Sequence, residues 1–457
     1  MSYTVGADRR HAFPMQPICL LSALLVASPA PRVAPDIAIV GARIEVGDGR
    51  VIDNGTIVVR GDRIAAVGAG LAAPSGATVI DGKGLTVYPG FIDAYSTSGL
   101  KLPEPVPSGK DQPDTLNTAP ATMWHENRKN IRADVRAAKC LDLKGPFTDR
   151  YKEGITSVLL SGGNGSLAGT AALVDLAAEP KVLNDQAAGE IVLRSAGGFR
   201  GGEHVHDHDN EDMAGGQRPQ GAQQPTGYQY PGTLFGIVGL TRQTLADAQY
   251  YAAQSSPKAD PVYDGLKPLV TGQIPGLFTV SNARDISRAA NVSKEFGFPM
   301  IVNGTTDGYR MIDLLKARQA PVILSPELAD EPTRKMSDDV DATPQRVLDA
   351  RWELWKERQG NARMLNEAGI TLAFRNPSLE NVRKVIAAGL PREAALKALT
   401  VNPAAMYGVS NRLGTVEAGK LANLVIMTGD FADAKSTVKT VLVEGTAFDA
   451  EKKETAK

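Results

Sequence analysis

Histidine is scarce: the 457-residue chain has five, His11, His125, His204, His206 and His208. Sites built from several imidazoles therefore have few places to form. Only two cysteines are present, Cys19 and Cys140, which excludes a disulfide framework or a CxxC metal site. Aromatic residues make up 5% and are not interleaved with basic runs, so stacking platforms for nucleic acid are missing. The formal net charge is −1, and no global field steers the protein toward nucleic acid or an acidic membrane. Beyond the N-terminus, no window is long and apolar enough to span a bilayer.

What is present suits a large globular protein. Hydrophobic residues make up 42% and charged residues 22%, enough for one barrel-sized domain and a smaller one. The first 30 residues read as a secretory signal. Arg9, Arg10 and His11 are the basic start, Ile18 to Ala27 the apolar run, and Ala27-Ser28-Pro29-Ala30 the small-residue cleavage region. This predicts a secreted or periplasmic protein.

Residues 36–88 hold short β segments: Ile37–Val40, Thr56–Val59 and Ile64–Val67. Gly47-Asp48-Gly49, Asn54-Gly55 and Gly61-Asp62 separate them, and such pairs favour the positive φ of hairpin turns. Residues 412–448 behave likewise, with Leu424–Met427 and Thr440–Val443 as strands. These two ends predict one composite β-sandwich domain. Between them, residues 89–411 alternate strand-like runs with helical stretches. The runs are Ser157–Leu160, Phe278–Val280, Met300–Val302, Pro321–Leu324 and Thr371–Phe374. Helices are predicted over 285–296, 308–317 and 346–368, and Asn402-Pro403 stops one more. Alternation of this kind predicts an α/β fold, a (β/α)8 TIM-like barrel inserted in the β domain. Residues 101–125 and 198–230 are Pro-rich or Gly/Gln-rich and read as long loops.

Three blocks carry a specific resemblance. Pro89-Gly90-Phe91-Ile92-Asp93 is similar to the first-strand signature of the amidohydrolase superfamily. The run from Gly389 to Ala404 resembles the segment after its last barrel strand, and Leu413 to Val425 its return to the β domain. The look is that of secreted imidazolonepropionase-like members. The resemblance implies a hydrolase of C–N (cyclic amide) bonds that uses a divalent metal to activate water. It implies two His on the first strand, a carboxylated Lys or a Glu mid-barrel, a His on each of the fifth and sixth strands, and an Asp on the eighth.

Those positions hold other residues. Tyr95 and Thr97 follow the first-strand signature, Ser281 or Asn282 the fifth, Asn303 the sixth, and Arg375 with Asn376 the eighth. The mid-barrel Lys or Glu is not identified by pattern. Hydroxyls and amides are poor substitutes for imidazole, and a guanidinium repels a metal. Asp93 remains, with a structural role. His204, His206 and His208 alternate with acids in a Gly/Gln-rich stretch, and that setting offers neither rigid ligands nor supporting hydrogen bonds.

Two functions follow. In the first, the chain has lost the family metal site and binds a small-molecule ligand or partner without cofactor. Tyr95, Thr97, Ser281, Asn303 and Arg375 then line its pocket. Self-association, or pairing with an intact amidohydrolase relative, belongs to this reading. In the second, an active hydrolase of carbon–nitrogen bonds other than peptide bonds has rebuilt a site for zinc or another divalent metal around the 204–208 cluster. Ser161-Gly162-Gly163-Asn164-Gly165-Ser166 is a Gly-rich loop after a strand, but it lacks the phosphate-binding Lys. It reads as a barrel loop lining the pocket.

Overall fold

The computed structural model describes residues 36–103, 131–145, 147–163, 165–193, 233–335 and 343–450. The N-terminal 30 residues, most of the 101–125 stretch and the 198–230 stretch lie outside the described residues. So do all five histidines.

Strands from both chain ends share one sheet. The N-terminal segment gives β1 (Ile37–Glu45), β2 (Val51–Arg60), β3 (Arg63–Ala69), β4 (Thr78–Asp81) and β5 (Thr86–Pro89). β1–β2–β3 is an antiparallel meander, while β4 and β5 pair in parallel with the other edge of β1. β14 (Leu424–Met427), from the far end of the chain, pairs with β5 and is followed by β15 (Val438–Val443) and β16 (Thr446–Asp449). Because β1 is paired on both edges, the strands make one continuous sheet and not the two separate sheets of a sandwich. The Gly61 turn has the expected positive φ of 59°. Asn54-Gly55, in contrast, lies inside β2 opposite an irregular stretch of β1. Its positive φ of 51° at Asn54 serves a bulge, not a turn.

The second sheet is a barrel, nearly closed. Its order is β6 (Phe91–Ser96), β7 (Ile155–Leu160), β8 (Leu167–Asp175), β9 (Lys181–Val192), β10 (Gly276–Thr279), β11 (Met300–Asn303), β12 (Val322–Leu324) and β13 (Leu372–Phe374). β6 and β13 lie against each other across the seam. The third place departs from a (β/α)8 pattern, since β8 runs antiparallel to β7 and to β9. The links on either side of β8 are a few residues long, sufficient for a turn but not for a crossover helix. The other barrel neighbours pair in parallel.

The helices are α1 (Thr148–Lys152), α2 (Leu234–Ala253), α3 (Pro261–Val270), α4 (Ala283–Phe296), α5 (Ile312–Ala317), α6 (Gln345–Gln359), α7 (Asn361–Glu367), α8 (Leu379–Ala387), α9 (Arg392–Leu399) and α10 (Val401–Met406). The helix read over 346–368 is two, broken at Gly360. Asn402-Pro403 does not stop a helix either. The chain breaks one turn earlier, at Thr400 (φ −131°, ψ −83°), and Pro403 sits in the first turn of α10. There its missing N–H takes nothing from the ladder. No described helix is long and apolar enough to cross a membrane.

Two cores divide the barrel's side chains by strand periodicity. Ile92, Ala94, Leu159, Ala171, Leu173, Ala188, Leu277, Ile301, Ile323 and Ala373 fill the interior. Tyr407 joins them and donates its hydroxyl to Ala94 O at 2.6 Å. The alternate residues, such as Phe278, Val302, Val322 and Phe374, pack outward against the helices.

Candidate functional site

The barrel interior turns from apolar to polar at one level. Leu159, Ala188, Leu277, Ile301 and Ala373 face inward. Side chains of one face recur every second residue, so the next inward positions are Ser161, Glu190, Thr279, Asn303 and Arg375. Tyr95, at the end of β6, faces inward as well. These six residues form the candidate site.

Glu190 is its centre and is almost fully buried. Its Oε1 accepts hydrogen bonds from Tyr95 Oη at 2.6 Å and Thr279 Oγ1 at 3.0 Å. Its Oε2 accepts from Ser161 Oγ and from the Gly163 backbone N–H at 2.9 Å. Gly163 has a φ of 65°, and a Cβ there would fall 2.5 Å from Thr97 Cγ2. Only glycine brings this N–H to the carboxylate without displacing Thr97. Asn303 Nδ2 donates to Thr279 Oγ1 at 3.1 Å. Burial pushes the Tyr95 hydroxyl's pKa up, the Glu190 charge adds to this, and the Arg375 cation opposes it.

The expected site residues separate into two groups. Tyr95 and Asn303 belong to the network around Glu190, and Arg375 is close enough for its charge to act on Tyr95. Thr97 is exposed and packs beside the Gly163 loop. Ser281 is exposed; its N–H donates to Asp285 at the start of α4, where Asn282 is the N-cap. The inward fifth-strand residue is Thr279, two residues earlier, because β10 ends there. The mid-barrel acid that pattern alone did not locate is Glu190, on the fourth strand. Its signal is a single carboxylate in the apolar run Ala187 to Val192. The Gly-rich loop lines this site through Ser161 and Gly163, as its position after β7 suggests.

Asp93 has the structural role read from the sequence. It is fully buried. Oδ2 accepts from Arg150 Nη1 at 2.6 Å, and Oδ1 accepts the N–H groups of Asn376 at 2.8 Å and Tyr95 at 3.3 Å. Burial raises its pKa and the Arg150 charge works against that rise. The Asn376 bond ties the end of β13 to β6, across the seam.

Among the described residues of this layer, the donors differ from the metal-ligand set that the sequence resemblance implies. Among the described residues, no group of three or more His, Cys, Asp or Glu could hold an ion. Among the described residues Glu190 is the one acid in the polar layer, and both its oxygens already accept two donors each. A divalent cation would have to displace those donors and would face Arg375 nearby. The weak candidates His204, His206 and His208 lie outside the described residues.

Known proteins share this architecture. A model of the amidohydrolase family matches residues 357–448, from the end of α6 into β16. An amidohydrolase from Thermotoga maritima MSB8 is similar in structure, with a TM-score of 0.65 at 21% identity over 90% of this chain and 100% of that one. Phenylurea hydrolase B has a TM-score of 0.50 at 15% identity over 91% of this chain and 97% of that one. No curated protein sequence matches the chain. At such identities the structural likeness shows the fold. The chain thus has the fold of amidohydrolases, and its segment 357–448 is similar to that family.

Proposed function

We propose that this protein is an amidohydrolase-fold member that binds a small molecule at the barrel mouth without the family's metal-dependent hydrolysis. One observation carries the reading: the Glu190 carboxylate is saturated by four protein donors. A carboxylate that ligates a metal keeps a lone pair for it. Here Tyr95, Ser161, Thr279 and the Gly163 N–H occupy those directions instead. The neutral side chains at the first-, fifth- and sixth-strand ends support the same reading, because none is a strong ligand for a divalent cation. The layer's other groups are the buried Asn303 amide and the partly exposed Arg375 guanidinium. Such groups hold and orient a ligand but do not generate a hydroxide at neutral pH. With residues 1–30 read as a signal, the protein acts in the periplasm or outside the cell.

The test is metal content. The mature chain is purified without chelators and bound metal per protomer is measured by mass spectrometry, for the native protein and for the triple variant His204→Ala, His206→Ala, His208→Ala. The expected result is no stoichiometric metal in the triple variant. One tight equivalent per protomer, unchanged by the three replacements, would defeat the proposal.

A further inference from the structure

The polarity of the hydrogen bonds around Glu190 fixes which way Asn303 faces. A carboxylate that accepts from four groups has no hydrogen to give. Thr279 Oγ1 has one hydrogen, and it goes to Glu190 Oε1 at 3.0 Å. Thr279 therefore receives a hydrogen from Asn303, and the atom 3.1 Å away must be the amide nitrogen. Asn303 Oδ1 is left as an obligatory acceptor. It is completely buried and has no hydrogen-bond partner among the described residues. Buried amide oxygens are nearly always satisfied, so an orphan at a strand end in the polar layer points to a partner from outside the chain.

The surroundings narrow the partner's chemistry. Gly304 follows Asn303 at a φ of 100°, and Arg375 Nη1 lies 3.4 Å from where its Cβ would be. The guanidinium thus lies beside the end of β11. Arg375 is partly exposed, and its charge reaches Tyr95. A donor-seeking oxygen, on Asn303, and a cation, beside Gly304, thus both belong to the end of β11. We propose that the site takes a small organic acid with a hydrogen-bond donor next to its anionic group. The donor bonds Asn303 Oδ1, and the anion meets Arg375, whose side chain shifts to admit it. This inference rests on the metal-free reading and names the ligand class for the same site.

Matched probes test it. Glycolate and N-acetylglycine carry an O–H and an N–H donor beside a carboxylate. Methoxyacetate and N-acetylsarcosine are the same acids with that donor blocked by methyl. Dissociation constants come from ligand-dependent unfolding temperatures of the full chain at constant ionic strength. At least one donor-bearing acid should bind about tenfold more tightly than its blocked counterpart, the size of one good hydrogen bond. Asn303→Leu should abolish that difference, and Arg375→Gln should weaken both acids of the pair. If Asn303→Leu does not fold, Asn303→Ser makes the same comparison. Equal binding within both pairs, no binding by either donor-bearing acid, or a donor preference that survives loss of Asn303 would overturn the inference. Metal content is measured on the same samples. A stoichiometric barrel metal defeats the functional reading, whereas metal-free protein with no donor preference defeats this inference alone.

Discussion

Tyr95 on the first barrel strand donates its hydroxyl to Glu190 on the fourth, at 2.6 Å. A polar contact inside the barrel mouth thus joins two strands that are not neighbours in the sheet. The network holds the polar layer together by satisfying a buried carboxylate, where bare burial would be costly. Glu190→Ala leaves four donors without their acceptor and should cost about 3–5 kcal/mol, in the range for breaking a buried charged pair. Tyr95→Phe removes one of the four and should cost about 1–3 kcal/mol. Urea unfolding midpoints of the two single variants and the double variant measure both. Their coupling should be large, because the Tyr95 hydroxyl that the Phe variant removes donates to Glu190 itself. Equal effects from the two single variants would show that Glu190 does not organise the layer.

The seam between β6 and β13 depends on Asp93. Its carboxylate receives Arg150 Nη1 at 2.6 Å and the Asn376 N–H at 2.8 Å. Replacing Asp93 with Ala removes both and leaves Arg150 without its buried partner. The expected loss is about 3–5 kcal/mol. Hydrogen exchange gives a more local reading: the Asn376 amide should lose protection in Asp93→Ala while the amides of β10 and β11 keep theirs. Uniform loss across the barrel would mean that Asp93 stabilises the fold globally and does not hold the seam.

The legibility of this fold in its sequence is uneven, and the reasons are physical. Pro89-Gly90-Phe91-Ile92-Asp93 is readable because each residue answers a constraint. A Cβ on Gly90 would fall 2.2 Å from Thr156 Oγ1, and Asp93 closes the seam. Gly90→Ala is therefore expected to lower the unfolding temperature more than Gly239→Ala, at an exposed position of α2 where no described atom lies within 4 Å of a new Cβ. Comparable shifts in a thermal scan would refute this packing argument. The antiparallel β8 was not legible. It is buried on both faces, and a continuous apolar run has no period from which to read direction. Glu190 was hidden for a related reason. β9 opens with the polar stretch Lys181 to Gln186, so its buried half does not stand out as a strand. The fifth-strand position was misplaced by two residues, because Ser281 and Asn282 are polar and Thr279 reads as an ordinary strand residue. That the described strand ends carry no imidazole needed no structure, since composition alone limits it.

Asp175 offers a pH-dependent test of the base of the barrel. It ends β8, is fully buried, and accepts hydrogen bonds from Asn423 Nδ2 at 2.7 Å and Ser157 Oγ at 3.1 Å, both to Oδ1. Its Oδ2 has no hydrogen-bond partner among the described residues. Burial, reinforced by the charge of Glu444, pushes its pKa up from 3.8 to about 7, against the pull of Asn423, Ser157 and Arg412. Between those two values the native chain holds a proton that the unfolded chain has released. Stability from this residue is therefore greatest at low pH and falls as pH rises from about 4 to about 7. At about 1.4 kcal/mol per unit, the total is at most about 4 kcal/mol. Asp175→Asn keeps the Oδ1 acceptor but cannot ionise. The variant should match the native protein near pH 4 and be more stable above pH 7 by up to about 4 kcal/mol, read from urea unfolding at each pH. A native-minus-variant difference that stays flat across this range would show that the Asp175 carboxyl titrates normally, and that its unpartnered oxygen has found a donor.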